Sequence, residues 1–264
     1  MAEALLQLTE VSLGFAGNAV LEQVDFAVDA GSIASLIGPN GAGKTSLFNC
    51  ITGFYKPQSG RIDFNGTALL PLKPFQVTRT GIARTFQNLR LFRQMSVIEN
   101  VMSGQHCRTK AGAIGAILHL PSQQREERAI RDHAAECLRF VGIAEAEWSR
   151  EATTLAYGHQ RRVEIARALA TAPKLLLLDE PAAGLTRGEK LELITLIGRI
   201  RDERSVAVLL IEHDTSLVMK LSERVSVLDH GIMIAEGTPK EIQTNPKVIE
   251  AYLGAEDAEA ALAL

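Results

Sequence analysis

With 264 residues, 46% hydrophobic side chains and 22% charged ones, the chain has ordinary globular composition, enough for a sizeable core in one large domain or two small ones. The formal net charge of −3 provides no global basic field for nucleic acid, and no apolar run reaches the roughly 18 residues of a membrane span. The acidic start MAEALLQLTEV, with no basic stretch ahead of an apolar one, argues against a signal peptide. In chain order, LLQLTEVSLGF and VLEQVDFAVDAG read as strands, with partial alternation and β-branched residues. SIASLIG, residues 32–38, reads as a short buried strand. KTSLFNCITGF reads as a helix that Gly53 stops, and SGRIDFNG as a strand ending in an Asn-Gly turn.

From about residue 97 to 141 the pattern is mainly helical. Ile130, Ala134, Leu138 and Val141 share one face, and the charges of 125–132 read as its solvated side. The glycine-rich AGAIGAI before it reads as a loop or broken helix. Trp148 reads as the anchor of a turn. Strand–helix alternation then returns. KLLLLDE and SVAVLLIEHD are strands, GEKLELITLIGRIRDE and TSLVMKLSE helices, and RVSVLDHG with IMIAEG a hairpin. Apolar strands alternating with amphipathic helices predict an α/β fold, a mostly parallel sheet covered on both faces with a helical insertion. Cys50, Cys107 and Cys137 are odd in number and lack metal-ligand spacing, which suggests free thiols in a reducing compartment. The reading is a cytosolic, soluble chain that is still open to a membrane partner.

GPNGAGKTS is the chemical centre of the sequence. Residues 38–45 fit G-x-x-x-x-G-K-[ST] between an apparent strand and an apparent helix, the context that confirms a phosphate cradle over a chance Gly-rich turn. Gly38, Pro39, Asn40, Gly41, Ala42 and Gly43 form a loop whose amides can turn inward on phosphate oxygens. The helix that follows adds its partial positive end. Lys44 reaches the β- and γ-phosphates, Thr45 can sit on Mg²⁺, and Ser46 completes the stretch. LLLLDEP brings Asp179 and Glu180 to the C-terminal end of a buried strand, one acid for Mg²⁺ and one as general base for water. His213 ends another strand at the same sheet edge. A lone histidine is usually structural, and the chemistry alone leaves a γ-phosphate contact and a structural role equally open.

With LAYGHQRRVEIARALATAPKLLLLDEPAAGL added, the chain resembles the ATPase subunits of ABC transporters from about residue 6 to 254. The resemblance implies a RecA-like P-loop NTPase core with an antiparallel β subdomain and an inserted helical subdomain. The core would take about residues 6–87 and 160–254, the helical subdomain about 88–159, with 255–264 a tail. It also implies that Phe15 stacks on adenine and that Gln87 in RTFQN touches Mg²⁺ and signals to a transmembrane partner. LAYGH (155–159) matches the family signature, AAGLT (182–186) the D-loop and His213 the switch histidine. Heads of this family work as dimers, so Ala156, Tyr157, Gly158 and His159 would serve the ATP of a sister head. The sequence departs from the family pattern there. Ala156 replaces a serine, Tyr157 a glycine, His159 a glutamine, and Thr186 the D-loop aspartate.

The LAYG form with EPAAGL, the stretch GIARTFQNLRLFRQMSVIENV, the insertion at about 104–135 and the ending GTPKEIQTNPKVIEAYLG are similar to the LivG-type ATPases of branched-chain amino acid importers. That likeness implies ATP and Mg²⁺ as cofactors. It implies two transmembrane permeases, a second ATPase in a homo- or heterodimer and, indirectly, a solute-binding protein outside the membrane. It places the chain peripherally on the cytoplasmic face of the inner membrane, with no nucleic-acid partner. Relatives with the same pattern move urea, amides and other small solutes. LRLFR (89–93), just after Gln87, reads as a docking surface for a permease helix or as an ordinary helix start with solvated arginines. Two rivals remain in view. A soluble ABC ATPase acting on nucleic acid or ribosomes fits poorly with one cradle, no basic stripe and no long coiled-coil insertion. A binding-only subunit fits poorly with Lys44, Asp179, Glu180 and His213 all present.

Overall fold

The computed structural model describes residues 4–107 and 121–253. The AGAIGAI stretch, the side chain of Cys107 and the tail from 254 onward lie outside the described residues. Strands β1 (Ala4–Phe15) and β2 (Asn18–Asp29) form an antiparallel hairpin. Strands β4 (Ser59–Phe64) and β5 (Thr67–Ala68) pair antiparallel across Asn65 and Gly66, both at positive φ as an Asn-Gly hairpin turn requires. Together they make a sheet of order β2-β1-β4-β5. A second sheet runs β10-β9-β3-β8-β7-β6, built from β3 (Ile33–Ile37), β6 (Ile82–Arg84), β7 (Leu175–Asp179), β8 (Ala207–Ile211), β9 (Arg224–Asp229) and β10 (Ile232–Gly237). All its pairings are parallel except the β9–β10 hairpin at one edge.

The apolar runs are explained by two-sided burial. In β7, Leu175 and Leu177 face a core shared with the antiparallel sheet and with Leu47, Phe48 and Ile51 of α1 (Lys44–Ile51). Leu176 and Leu178 face the opposite core, with Val208 and Leu210 of β8. Because successive strand residues point to opposite faces, a strand covered on both sides must be apolar at every position. The second core gathers α3 (Val97–Met102), α4 (Pro121–Phe140), α5 (Tyr157–Leu169), α6 (Arg187–Arg204) and α7 (Thr215–Leu221). Helix α2 (Pro74–Thr80) precedes β6. Ala134, Leu138 and Val141 are buried and Ile130 half-buried, while Arg125, Arg128, Arg131 and Asp132 are exposed, as the helical pattern requires. Trp148 donates from Nε1 to the Ile143 carbonyl at 3.1 Å and so ties the turn before α5.

The expected subdomain limit at 159/160 falls inside α5, whose Val163, Ile165 and Ala166 belong to the same core as α3, α4 and β7. The helix therefore joins the insertion to the sheet rather than marking its end. At the C-terminal side, α8 (Pro239–Gln243) and α9 (Pro246–Leu253) place Ile242 and Val248 on Ile37, Val225 and Val227.

Thr186 caps α6. Its hydroxyl accepts from the Glu189 amide, and the Glu189 carboxylate accepts from the Thr186 amide at 2.8 Å. Thr-x-x-Glu ahead of a helix is a capping box. Thr186→Ala should lower the melting temperature by about 2–4 °C, followed by circular dichroism. An unchanged melting curve would show that the cap contributes nothing.

Candidate functional site

Four neighbouring strands, β3, β8, β7 and β6, end at one edge of the sheet. Leu36 pairs with Ile211 and Ile211 with Asp179, so these strand ends lie level. The chain leaves β3 into residues 38–46, β8 into Glu212 and His213, β7 into Glu180, and β6 into Gln87. This carboxyl edge is where open parallel sheets bind ligands.

The loop 38–43 is shaped by close backbone approach. A Cβ on Gly38 would lie 1.9 Å from the Leu228 carbonyl oxygen. Gly43, at φ 104°, sits at the N-cap of α1 and provides no side-chain cap, so the first-turn amides of Lys44, Thr45 and Ser46 have no intrahelical partner. Asn40, Gly41 and Thr45 are exposed and Ala42 is buried. Lys44 folds over the loop and donates from Nζ to the carbonyls of Gly38 at 2.6 Å and Pro39 at 2.8 Å. Burial lowers the pKa of its ammonium, and the nearby charges of Glu180 and Asp179 oppose that shift. The result is a buried cation beside two acids, at a helix N-terminus that attracts anions.

Asp179 is buried at the end of β7, with Oδ2 2.8 Å from Arg84 Nη2. At Glu180 the backbone takes φ 46°, which turns the chain out of the strand, and its amide donates to the Ile211 carbonyl at 2.9 Å. The two acids consequently point differently. Glu180 Oε2 accepts from Gln87 Nε2 at 2.9 Å and lies 3.6 Å from His213 Nδ1. Glutamine, glutamate and histidine from three strand ends thus meet at one carboxylate oxygen. Phe15, about half exposed, closes β1 with its ring 5.1 Å from that of Tyr55, edge to face.

The 155–159 segment lies at the start of α5. Ala156 is the N-cap residue without a side-chain cap. Tyr157 is exposed, and its hydroxyl accepts from Arg161 at 3.3 Å. Gly158 is buried against Glu189, so a Cβ there would meet Oε1 at 2.3 Å. His159 Nδ1 lies 3.3 Å from Glu147. Residues 89–93 are irregular; α3 starts only at Val97, behind Ser96, so the helix-start reading of LRLFR is corrected. Phe92 is half exposed there, and Arg90 and Arg93 are exposed.

The family profile described as ABC transporter matches residues 21–183. The chain belongs to the ABC transporter family. A second profile, described as branched-chain amino acid ATP-binding cassette transporter, matches residues 233–258 of this ABC cassette. The cassette is 46% identical over 254 residues to the high-affinity branched-chain amino acid transport ATP-binding protein LivG of Escherichia coli K12, covering 96% of this chain and 99% of that one. It is 43% identical over the same shares to BraF of Pseudomonas aeruginosa, which carries the same description. Among solved structures it is similar to the ADP conformation of an ATP-binding cassette of an ABC transporter, with a TM-score of 0.83 and 30% identity over 96% of this chain and all of that one. A nucleotide-free cassette gives 0.82 and 29% over the same shares. Fold and architecture therefore agree with the α/β P-loop expectation.

Among the described residues, four buried charged side chains of the cassette escaped the sequence reading, Arg84, Arg161, Glu164 and Glu212. Arg84 binds Asp179, Asn49 Oδ1 at 2.7 Å and Thr52 at 3.3 Å, between the rings of Phe48 and Phe86. Glu212 accepts from the amides of Ala182 at 2.8 Å and His213 at 3.2 Å, holding the two loops together. Burial pushes its pKa up, and those amides oppose the shift. Arg161 is almost fully buried and bonds the carbonyls of Phe86 and Gln87. An acid directly after the apolar run VLLI was a usable signal for Glu212. Asp179 lies 95 residues from Arg84 and Phe86 lies 75 from Arg161, separations that no local pattern bridges.

Proposed function

We propose that this chain hydrolyses ATP to drive uptake of branched-chain amino acids through partner permeases. The observation that carries the catalytic half is the meeting of Gln87, His213 and Glu180 at one oxygen, beside Lys44 and the cradle. In this reading the amides of 38–46 and Lys44 hold the phosphates, and Phe15 stacks on adenine. Glu180 takes the proton from the attacking water, and His213 contacts the γ-phosphate. The Thr45 hydroxyl, the Gln87 amide oxygen and the Asp179 carboxylate are hard oxygen donors suited to Mg²⁺, which neutralises phosphate charge when bound. Residues 155–159 serve the ATP of a sister head, the same chain or a second ATPase.

Likeness to branched-chain transport proteins along both the core and the C-terminal helices supports the solute. Phe92 with Arg90 and Arg93, exposed just after Gln87, suits docking of a permease helix. No described helix is long and apolar enough to cross a membrane. Likeness to transport ATP-binding proteins supports a peripheral place on the cytoplasmic face beside two permeases. A solute-binding protein outside the membrane would deliver the cargo. The proposed division is a core of about 6–87 and 160–254 and a helical part of about 88–159, with α5 spanning the joint.

A strain lacking the chain should lose uptake of labelled leucine and regain it with the wild-type chain, but not with Glu180→Gln. Unchanged leucine uptake would refute the solute assignment, and loss of urea or amide uptake instead would redirect it.

A further inference from the structure

We propose that Arg161 and Glu164 are positioning residues that fasten the backbone of the Gln87 segment to the first turns of α5, so that the segment and residues 155–159 move as one body. The pair is 1% exposed and one helical turn apart. Arg161 Nη1 donates to the Phe86 carbonyl at 2.8 Å and to Glu164 Oε2 at 2.8 Å. Its Nη2 donates to the Gln87 carbonyl at 2.9 Å and to the Tyr157 hydroxyl at 3.3 Å. Glu164 Oε1 faces the amides of Phe86 at 3.5 Å and Arg90 at 3.4 Å. One turn on, Arg167 donates to the Arg90 carbonyl at 2.5 Å.

Side chains from three successive turns thus hold the backbone of 86–90 from one side. From the other side, Gln87 Nε2 holds Glu180. An unbroken chain of contacts therefore runs from Tyr157 through Arg161 and Gln87 to the Glu180 carboxylate just past β7. A buried ion pair adds little net stability because both charges lose their hydration. Its planar, fixed donors do specify geometry, and here they fix two carbonyls at once. Burial raises the Glu164 pKa, and the charges of Arg161 and Arg167 oppose that shift.

This inference rests on Gln87 and 155–159 being parts of ATP sites. It is tested by amide hydrogen exchange on the full chain, with and without Mg²⁺ and a non-hydrolysable ATP analogue. In the wild-type chain the analogue should slow exchange in 86–90 and in 156–161 by similar factors. Arg161→Lys keeps the charge opposite Glu164 but cannot bridge both carbonyls. It should melt close to wild type, yet exchange 86–90 about tenfold faster without nucleotide, the loss of one hydrogen bond of ordinary net strength. In that variant the analogue should still protect 38–46, while protection of 86–90 should no longer match that of 156–161.

A merely neutralising role for Arg161 would leave exchange at 86–90 unchanged in the Lys variant, and that result overturns the proposal. Protection of 86–90 without 156–161 in the wild-type chain overturns it without any variant. Failure of the analogue to protect 38–46 in the wild-type chain would instead count against the ATP reading, while the nucleotide-free comparison at 86–90 would still decide the joint.

Discussion

Glu180→Gln should bind MgATP with near wild-type affinity and hydrolyse it at least about 100-fold more slowly, the contribution of a positioned general base. The amide has the same shape and keeps an oxygen to accept from Gln87 Nε2, so the contact at 2.9 Å survives the change. What is lost is a group that can take a proton from water. The backbone at φ 46° aims this side chain away from Asp179, so Asp179 is poorly placed to substitute. Equilibrium binding of labelled ATP and phosphate release in single turnover separate the two effects. Near-normal turnover would remove Glu180 from the role of base.

Lys44→Ala should weaken ATP binding by roughly 10- to 100-fold, because a hydrogen bond to a charged group contributes about 1.5–3 kcal/mol. The folded chain already holds this ammonium over the loop through the Gly38 and Pro39 carbonyls. Its charge is therefore delivered with little ordering cost, and the substitution also releases the loop that presents the amides. Because Lys44 is buried beside Asp179 and Glu180, removing it leaves two acids facing incoming phosphate. Titration of a fluorescent ATP analogue measures the loss. Unchanged affinity would place the phosphates elsewhere.

Much of this arrangement was legible in the sequence, for a local reason. The runs LLLL and VLLI announce strands covered on both faces, and polar residues directly after them must emerge at a sheet edge. The order of strands, β3-β8-β7-β6, was not legible, since pairing joins segments far apart in the chain. It is this order that brings Gln87, Glu180 and His213 together. The D-loop substitution Thr186 reads differently once folded, because its hydroxyl caps α6. Gly158 likewise turned out to be covered by Glu189 of its own chain, a contact set by the packing of α5 on α6. The 159/160 limit cuts one continuous helix, α5, whose core residues Val163, Ile165 and Ala166 follow it, a continuity that a change of motif pattern does not show.

The most direct test of the account is a mild-detergent purification of this chain from its native membranes, with every co-purifying protein identified. The account predicts two permease-like membrane chains and a sister ATPase head, either a second ATPase or another copy. Ribosomal proteins or nucleic acid in their place, without membrane chains, would contradict it and leave only the ATP chemistry.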